Sequence, residues 1–388
     1  LQGGPLQLSG RAGDAAKAAV INEGRIVVGE GGFAALLAPN VVNNGLIQAR
    51  LGRVQLASGT RATLDVSGDG LLAVALDPAV AGSISQGGRI EATHVQIGGG
   101  EAAALVAATV DLGGVVEARS AAQALGLPAT DRAGEEATIA VQTAGAVQVS
   151  GRLDAAALEP GQRGGAIHIS GDRIKVTGTA QLNASGTAGG GEILVGGSWQ
   201  NSNPRHHQAT TTTIEQGAVL EASALQKGDG GTVVAWSDIT KADGVTTVAG
   251  TLRARGGSEG GNGGRIETSG ALLNTSGIVI NASAAQGLAG LWLLDPTNVT
   301  ISASASTSGS LSGAEYQHHR HSERDQRRHQ RGCGGQRVHH PAGGADVQRG
   351  GRRSDAHADA GQHQRQQAGH HPGRHHGQHH SHGVGGES

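Results

Sequence analysis

The sequence predicts an all-β protein whose chain winds as a parallel β-solenoid, and three observations support this fold class. The composition is the first: 388 residues include 68 Gly but only one Phe, one Tyr, three Trp and no Met. Aromatic side chains therefore cannot supply the volume of the core. The second observation is a repeat of aliphatic and glycine-rich blocks, and the third is alternation of apolar and polar residues inside the blocks. Small aliphatic side chains stack well in a narrow interior, and frequent glycines permit tight corners.

The repeat consists of an aliphatic–x–Ala block, a glycine-rich corner and a Gly–x–aliphatic block. Unequal corner lengths fit a solenoid because extra residues bulge outward without disturbing the stack. Five copies join residues 153–156 to 165–169, 182–186 to 191–195, 220–223 to 231–234, 252–255 to 264–268, and 280–283 to 290–293.

Alternation within the blocks predicts which side chains point into the coil. The apolar members should point inward and the polar members outward; the inward set includes Ile167, Ile169 and Ile266, and the outward set includes His168, Arg265 and Glu267. At 20 to 30 residues per coil, residues 1–316 predict about a dozen coils and a rod roughly 50–70 Å long. Helical patterning is weak and limited to residues 101–110 and 121–125.

The three tryptophans, Trp199, Trp236 and Trp292, are expected to pack against the fold and not to bind a ligand, because each lies in or just after a predicted strand. Trp292 and Leu294 are two residues apart and should share one strand face. The Asp-Pro-Thr-Asn run at 295–298 predicts a turn, since Pro fixes φ while Asp and Asn can bond backbone amides. We expect this turn to end one stack and redirect the chain.

The chain after Tyr316 has a different chemistry. It holds 15 of the 19 His, together with 11 Arg, and no Leu, Ile or Thr. Such a segment has almost nothing to bury, so residues 311–388 are predicted to form a disordered tail. A one-base shift of reading frame would turn its His, Gln and Arg codons into Thr, Ser and Ala codons, and we therefore predict a frameshift product. Sequencing the gene across the Tyr316 codon tests this hypothesis.

Composition and motifs argue against several classes of function. A formal net charge of −2 gives no reason to expect nucleic-acid binding, and no apolar run is long enough for membrane insertion. Paired histidines in the tail, His375-His376 and His379-His380, have plausible metal-ligand spacing but no scaffold to fix them. We predict no catalytic residues, no cofactor and no metal site, and Cys333 is a single cysteine. A polysaccharide-active enzyme remains the alternative from another class.

Two stretches resemble the filamentous haemagglutinin family, whose members are exported by two-partner secretion. The first runs from 228 to 302 and includes the blocks at 230–238, 254–257, 260–270 and 290–300. Its motif residues, to which we assign structural roles, are Trp236, Gly263, Gly264, Trp292, Asp295, Pro296 and Asn298. The order and spacing of these blocks are far more specific than glycine content alone.

The second stretch, at 21–26, 41–50, 52–59 and 69–74, resembles the closing coils of the family's secretion domain. The family's Asn-Pro-Asn signature is not in this sequence, so we expect the start of that domain and a signal peptide to precede residue 1. The predicted organisation is residues 1–90 as the last coils of the secretion domain, 91–310 as the repeat rod and 311–388 as the tail.

The resemblance implies a right-handed parallel β-helix, secreted or held at the bacterial surface in association with the outer membrane. It implies an outer-membrane transporter as partner and a role in cell adhesion and virulence, with a host-cell receptor or glycan as ligand. Within the same fold, capture of a haem-carrier protein such as haemopexin is the alternative. That role needs a protruding loop, for which 196–217 and 238–248 are the longest candidates.

Overall fold

The computed structural model describes residues 17–59, 82–98, 108–124, 136–203 and 206–296, together with the backbone of five short strands outside these ranges. The chain divides into two units, Leu1–Ser322 and Glu323–Ser388, and every described residue lies in the first. Within the described residues, no helix combines the length and apolar character needed to cross a bilayer.

Almost all regular structure is β. In chain order the strands are β1 (Leu6–Ser9), β2 (Ala19–Asn22), β3 (Arg25–Val28), β4 (Phe33–Ala38), β5 (Asn40–Asn43), β6 (Leu46–Ser58), β7 (Arg61–Leu64), β8 (Leu72–Ala73), β9 (Ser83–Gln86), β10 (Arg89–Gly98), β11 (Thr109–Leu112), β12 (Val115–Ala118), β13 (Thr138–Gln142), β14 (Ala146–Val149), β15 (Arg152–Asp154), β16 (Ala166–Ser170), β17 (Arg173–Val176), β18 (Gln181–Asn183), β19 (Glu192–Val195), β20 (Thr211–Ile214), β21 (Val219–Glu221), β22 (Thr232–Trp236), β23 (Val245–Val248), β24 (Thr251–Arg253), β25 (Arg265–Gly270), β26 (Leu272–Asn274), β27 (Val279–Asn281), β28 (Gly290–Pro296), β29 (Ser310–Ser312) and β30 (Ala314–His318). A single-turn helix, α1 (Ala121–Ala124), and a 3₁₀ turn (Trp199–Asn201) complete the described elements.

All strands except β1, β7 and β8 form three parallel sheets, and each complete coil contributes one strand, or one segment of a longer strand, to each sheet. Sheet 1 contains β2, β5, β9, β11, β14, β17, β20, β23 and β26. Sheet 2 begins with β3 and sheet 3 with β4, and each continues through one segment of β6 and of β10. Sheet 2 then takes β12, β15, β18, β21, β24, β27 and β29. Sheet 3 takes β13, β16, β19, β22, β25, β28 and β30. Leu51, in the left-handed region with φ 57°, makes the corner inside β6. This stacking confirms the predicted parallel β-helix.

The predicted repeat is also confirmed by the register. In sheet 2 the aliphatic residues pair one above another as Leu153, Leu182, Leu220, Leu252 and Ile280. In sheet 3 a second inward row consists of Ile167, Ile193, Val233, Ile266 and Trp292. A single coil cannot bury such a row, so each coil is stabilised by the coils above and below it.

Among the described residues, nine coils carry three strands and a tenth carries two, fewer than the dozen predicted. Corner loops make the coils longer than expected: sheet 1 strands begin at residues 146, 173, 211 and 245. An excursion between the second and third coils carries β7 and β8, which form an antiparallel sheet with β1, a strand that precedes the first coil. The sequence pattern had not indicated it.

The core is a continuous aliphatic column along the rod axis. Ile167, Ile169 and Ile266 are buried and His168 is half-buried, as the alternation predicts. Glu267 lies on the outer face of sheet 3, also as predicted, yet its exposed fraction is 0%. A segment outside the coil, within residues 196–210, covers it.

The weak helical patterns have different outcomes. Residues 121–124 form α1, whereas Thr109 and Val110 lie in β11, so the helical reading of 101–110 is wrong at that end. Residues 101–107 lie outside the described part of the chain.

The predicted turn at 295–298 is wrong at its first two residues. Asp295 and Pro296 continue β28, where they pair with Ser269 and Gly270 of β25. Pro296 occupies the last position of the strand. Thr297 and Asn298 lie outside the described residues.

Parallel pairing continues past residue 310, where the rod was predicted to end. β29 pairs with β27 and β30 pairs with β28 as far as His318. The rest of 311–388, including the paired histidines and Cys333, lies outside the described residues. The disordered tail, the frameshift and the boundary at residue 90 stay predictions.

Candidate binding surface on the outer face of sheet 3

The outer face of sheet 3 carries a second apolar cluster, separate from the core. Strand register places His168, Leu194, Val234, Glu267 and Leu293 in one outward row. Leu194 and Val234 of this row are buried together with the nearby Trp236, and Trp199 and Ile239 pack against them. Apolar residues are buried on an outward face only when another segment covers them, so this face carries an additional layer.

The covering segment is a cap formed by residues 196–210, of which 204 and 205 are not described. The cap leaves and returns to the rod at one point, because the Ala209 amide donates to the Gly196 carbonyl over 2.9 Å. Gly196 has φ 83°, and a side chain at Gly197 would lie 2.4 Å from Cδ1 of Trp236. Both glycines are therefore required for the close approach of the cap to the sheet.

A strained turn anchors the tip of the cap. Gln200 and Asn201 both have left-handed backbone angles, with φ of 48° and 50°. Such angles are unfavourable for residues other than glycine and persist only where surrounding contacts hold them. The backbone N–H of Gln200 donates to Oε2 of Glu267 over 2.8 Å. Cζ of Arg265 lies 4.6 Å from the Trp199 ring centroid. These two contacts hold the turn.

Glu267 is the most perturbed acid among the described residues. Burial raises its pKa to about 7, the charge of Asp295 acts in the same direction, and hydrogen bonds from Gln200 and Ser269 only partly oppose the shift. The Ser269 hydroxyl lies 2.9 Å from Oε1. The carboxyl group therefore changes its charge near neutral pH while it remains beneath the cap.

Histidines lie beside the same layer. Nε2 of His168 is 2.8 Å from Oε1 of Glu192, and this contact, more than the opposing effect of burial, lowers the pKa of Glu192. The ring of His206 packs edge-on to His168 at 5.1 Å. Burial lowers the pKa of His207. In the described residues no group of three or more His, Cys, Asp or Glu side chains is arranged to hold a metal ion.

A shallow cavity of about 370 Å³ lies next to the cap, where the corner loops enter sheet 3. Its floor is almost free of side chains; the lining residues are Asp229, Gly230, Gly231, Thr232, Gly263, Gly264, Arg265, Ala289, Gly290 and Leu291. The corner requires glycine, since a Cβ at Gly263 would lie 1.9 Å from the Ala282 carbonyl oxygen and one at Gly264 2.1 Å from that of Gly231.

The described motif residues identified from the sequence lie in four different places. Gly263 and Gly264 line the cavity, and Trp236 is buried beneath the cap, where its indole N–H donates to Oε1 of Gln208 over 3.0 Å. Trp292 packs inside the core together with Leu294, as predicted, and its indole N–H donates to Thr268. Asp295 is buried on the outer side of β28, and Asn298 is not described.

The clustered acids of sheet 2 are paired with arginines. Arg89 contacts Glu117 at 2.8 Å, and Arg119 contacts Asp154 at 3.1 Å. Burial alone would raise the pKa of Asp154, but the Ala156 amide and the nearby Arg119 and Arg152 hold it below its usual value. Carboxylates held ionised in this way brace the stack and are poor general acids.

Sequence reasoning missed the residues that build this surface: Trp199 as a stacking partner, Arg265 as its cation, and Glu267 as a buried acid. The signal available was the length of the insertion after β19, which was interpreted as a candidate protruding loop. In the structure the insertion folds back onto the sheet, and residues 211–214 of it form β20. The other candidate loop also ends in a strand, β23.

Comparison with known proteins is informative about the fold. No family model matches the chain, and no curated protein matches it. Among solved structures it is similar to the HMW1 secretion domain from Haemophilus influenzae, with 22% sequence identity and a TM-score of 0.50 over 75% of this chain and 70% of that chain. At 22% identity, this structural similarity shows a shared fold alone. The chain therefore has the β-helix fold of that secretion domain.

Proposed function

We propose that this chain is part of a non-catalytic exoprotein, exported through an outer-membrane transporter by two-partner secretion and acting as an adhesive rod at the cell surface. The observation that carries the proposal is the uninterrupted parallel stack with the architecture of the HMW1 secretion domain. Such a stack presents a long polar surface held rigid by coil-to-coil pairing. The motif residues at the corner and under the cap shape this surface.

Two features favour adhesion over the other roles considered. The longest insertion packs on sheet 3, so the protruding loop expected for haem-carrier capture is not formed by its described residues. The acids of sheet 2 are paired with arginines, an arrangement that suits bracing and not glycan cleavage. Host-cell receptors or glycans are therefore the proposed ligands.

Export is tested by placing the chain behind a cleavable export signal and co-expressing it with an outer-membrane transporter of a two-partner secretion system. The chain should appear in the medium only when the transporter is present. Equal amounts in the medium with and without the transporter would contradict two-partner secretion.

Adhesion is tested separately with the purified chain on beads applied to epithelial monolayers. Binding should be saturable and should be lost after heat unfolding of the chain. Binding that does not saturate, or that survives unfolding, would contradict a specific adhesive role.

A further inference from the structure

We propose that the corner cavity beside the cap binds a saccharide unit that carries a single carboxylate, with Arg265 as the group that recognises the anion. The inference rests on the proposed adhesive role and deepens it by giving the place on the rod and the chemical class of the ligand. Three properties of the site support it: a fixed guanidinium, a flat floor and a mixed set of polar partners.

Arg265 is held in place by two directed contacts, and the carboxyl groups of Glu192 and Glu267 lie close enough to interact with its charge. Its guanidinium lies over the Trp199 ring at 4.6 Å, and its Nε donates to Oγ1 of Thr232 over 2.9 Å. The ion pairs formed among the described residues do not include Arg265. The two terminal nitrogens of a guanidinium held by ring and Nε remain able to form the bidentate pair that a carboxylate accepts.

The floor of the cavity is made of peptide planes. Gly231, Gly264 and Gly290 follow one another up the stack, and a Cβ on any of them would lie about 2 Å from a carbonyl oxygen of the coil beneath. Because no side chain can project here, the floor is flat enough to accept the C–H face of a sugar ring.

The polar groups at this floor favour a saccharide over a peptide. The amides of Gly231, Gly264 and Gly290 already donate to carbonyls of their own corner, namely those of Ala222, Ala254 and Ala282. Among these three amides a peptide ligand would find no unoccupied donor for its backbone carbonyls. A sugar hydroxyl both donates and accepts, so it can use the Asp229 carboxylate and the second lone pairs of the carbonyls.

Asp229 also limits the charge of the ligand. It lines the same cavity as Arg265, and one of its oxygens accepts the Asn262 amide over 2.7 Å. A densely sulfated or phosphorylated polymer would place like charge against this carboxylate. A chain with one carboxylate per sugar can place that group on Arg265 and a hydroxyl on Asp229.

The experiment is isothermal titration of the full chain with trigalacturonic acid and with its uncharged trimethyl ester. The acid should bind at least tenfold more tightly than the ester. Arg265→Lys keeps the charge but loses the planar fork and the bond to Thr232, so it should weaken acid binding at least fivefold. Equal affinity for acid and ester, or an unchanged affinity in Arg265→Lys, would overturn the proposal.

Two further variants keep the test decisive. Thr232→Val removes only the hydroxyl that accepts from Nε of Arg265 and should weaken binding about threefold. This variant tests the site even if Arg265→Lys does not fold. Arg173→Gln removes an exposed arginine from sheet 1 and should leave the affinity for the acid saccharide unchanged. If this variant weakened binding as much as Arg265→Lys, binding would depend on net charge and not on the corner site. Triglutamate that binds as tightly as the acid saccharide would overturn the saccharide assignment.

The cell assay separates this inference from the adhesive role. If beads coated with Arg265→Lys bind monolayers as the unmodified chain does, and trigalacturonic acid does not compete, adhesion stands and the corner site is wrong. If the chain binds the acid saccharide but does not bind cells, the corner site stands and adhesion is wrong.

Discussion

The first three coils and the later ones close the same corner with opposite chemistry. One inward row of sheet 1 begins with amides: Asn22 donates to Asn43 over 2.7 Å, and Asn43 donates to Gln86 over 2.7 Å. From the fourth coil the same row is aliphatic and consists of Leu112, Val149, Val176, Ile214 and Val248. Asn43 and Gln86 are fully buried. The three amide side chains, which we call the amide ladder, therefore form a polar row inside an otherwise apolar core.

On the outer surface it is the later coils that carry the additional features. In the first three coils β6 and β10 each run through two sheets without a long corner loop. The distinctive polar residues of these coils are the buried amides of sheet 1. In the later coils this inward row is aliphatic, the corners lengthen and are rich in glycine, and the cap adds an apolar and charged layer outside. An amide ladder fixes the register of coils that have few other specifying features, whereas long corners provide surface on which a site can be built. Four predictions test this contrast.

The largest effect is expected for Gly264→Ala in the later corners. Its Cβ would lie 2.1 Å from the Gly231 carbonyl oxygen, a backbone atom that cannot move without disturbing the stack. We expect about 3–5 kcal/mol of destabilisation, measured by urea unfolding followed by tryptophan fluorescence. The control is Gly29→Ala in the first coil, where nothing lies within 4 Å, and its effect should be under about 0.5 kcal/mol. Equal losses in the two variants would contradict the requirement for glycine at position 264.

The amide ladder gives the next largest effect. Asn43→Leu leaves the Asn22 amide and the Gln86 carbonyl oxygen buried without their partner, at a cost of about 2–4 kcal/mol. Native-state hydrogen exchange of β5 and β9 should report it as more frequent opening. The triple variant Asn22→Val, Asn43→Val, Gln86→Leu converts the row to the chemistry of the later coils and should cost less than the single change. A triple variant less stable than Asn43→Leu would show that the ladder contributes more than satisfied hydrogen bonds.

Glu267 predicts a dependence of folding stability on pH. Its folded pKa of about 7 exceeds the ordinary value of 4.5, so its contribution to stability is complete below pH 4.5 and is lost as pH rises to about 7. The loss is on the order of 3 kcal/mol. Urea unfolding of Glu267→Gln should lack this component between pH 5 and 8. Glu215→Gln is the control with the opposite sign, because the Lys175 contact lowers the Glu215 pKa. A pH profile unchanged by Glu267→Gln would contradict the burial of a titrating acid.

The smallest effect is expected for the docking of the cap. Trp199→Ala removes the partner of Arg265 and part of the outer cluster, and should weaken docking by about 1–2 kcal/mol. Limited proteolysis should then cleave within residues 196–210 several times faster. Leu158→Ala changes an exposed corner residue away from the cap and should leave the cleavage rate unchanged.

The sequence by itself determined the stack. Rows such as Leu153 with Leu182 and Ile167 with Ile193 could be predicted because each coil repeats a local pattern, and parallel pairing requires only that successive patterns align. The glycine corners could be predicted for the same reason. The packing of Trp292 with Leu294 follows from strand alternation alone.

Tertiary structure decided which parts of the surface are covered. The amide ladder joins residues 21 and 43 positions apart, and the Gln200 contact to Glu267 spans 67 positions. No local period encodes such contacts, so Glu267 read as a solvated outer acid, Asp295 and Pro296 as a turn, and the cap as a protruding loop. A repeat specifies the direction in which each side chain points; whether that direction ends in water depends on where a distant insertion folds.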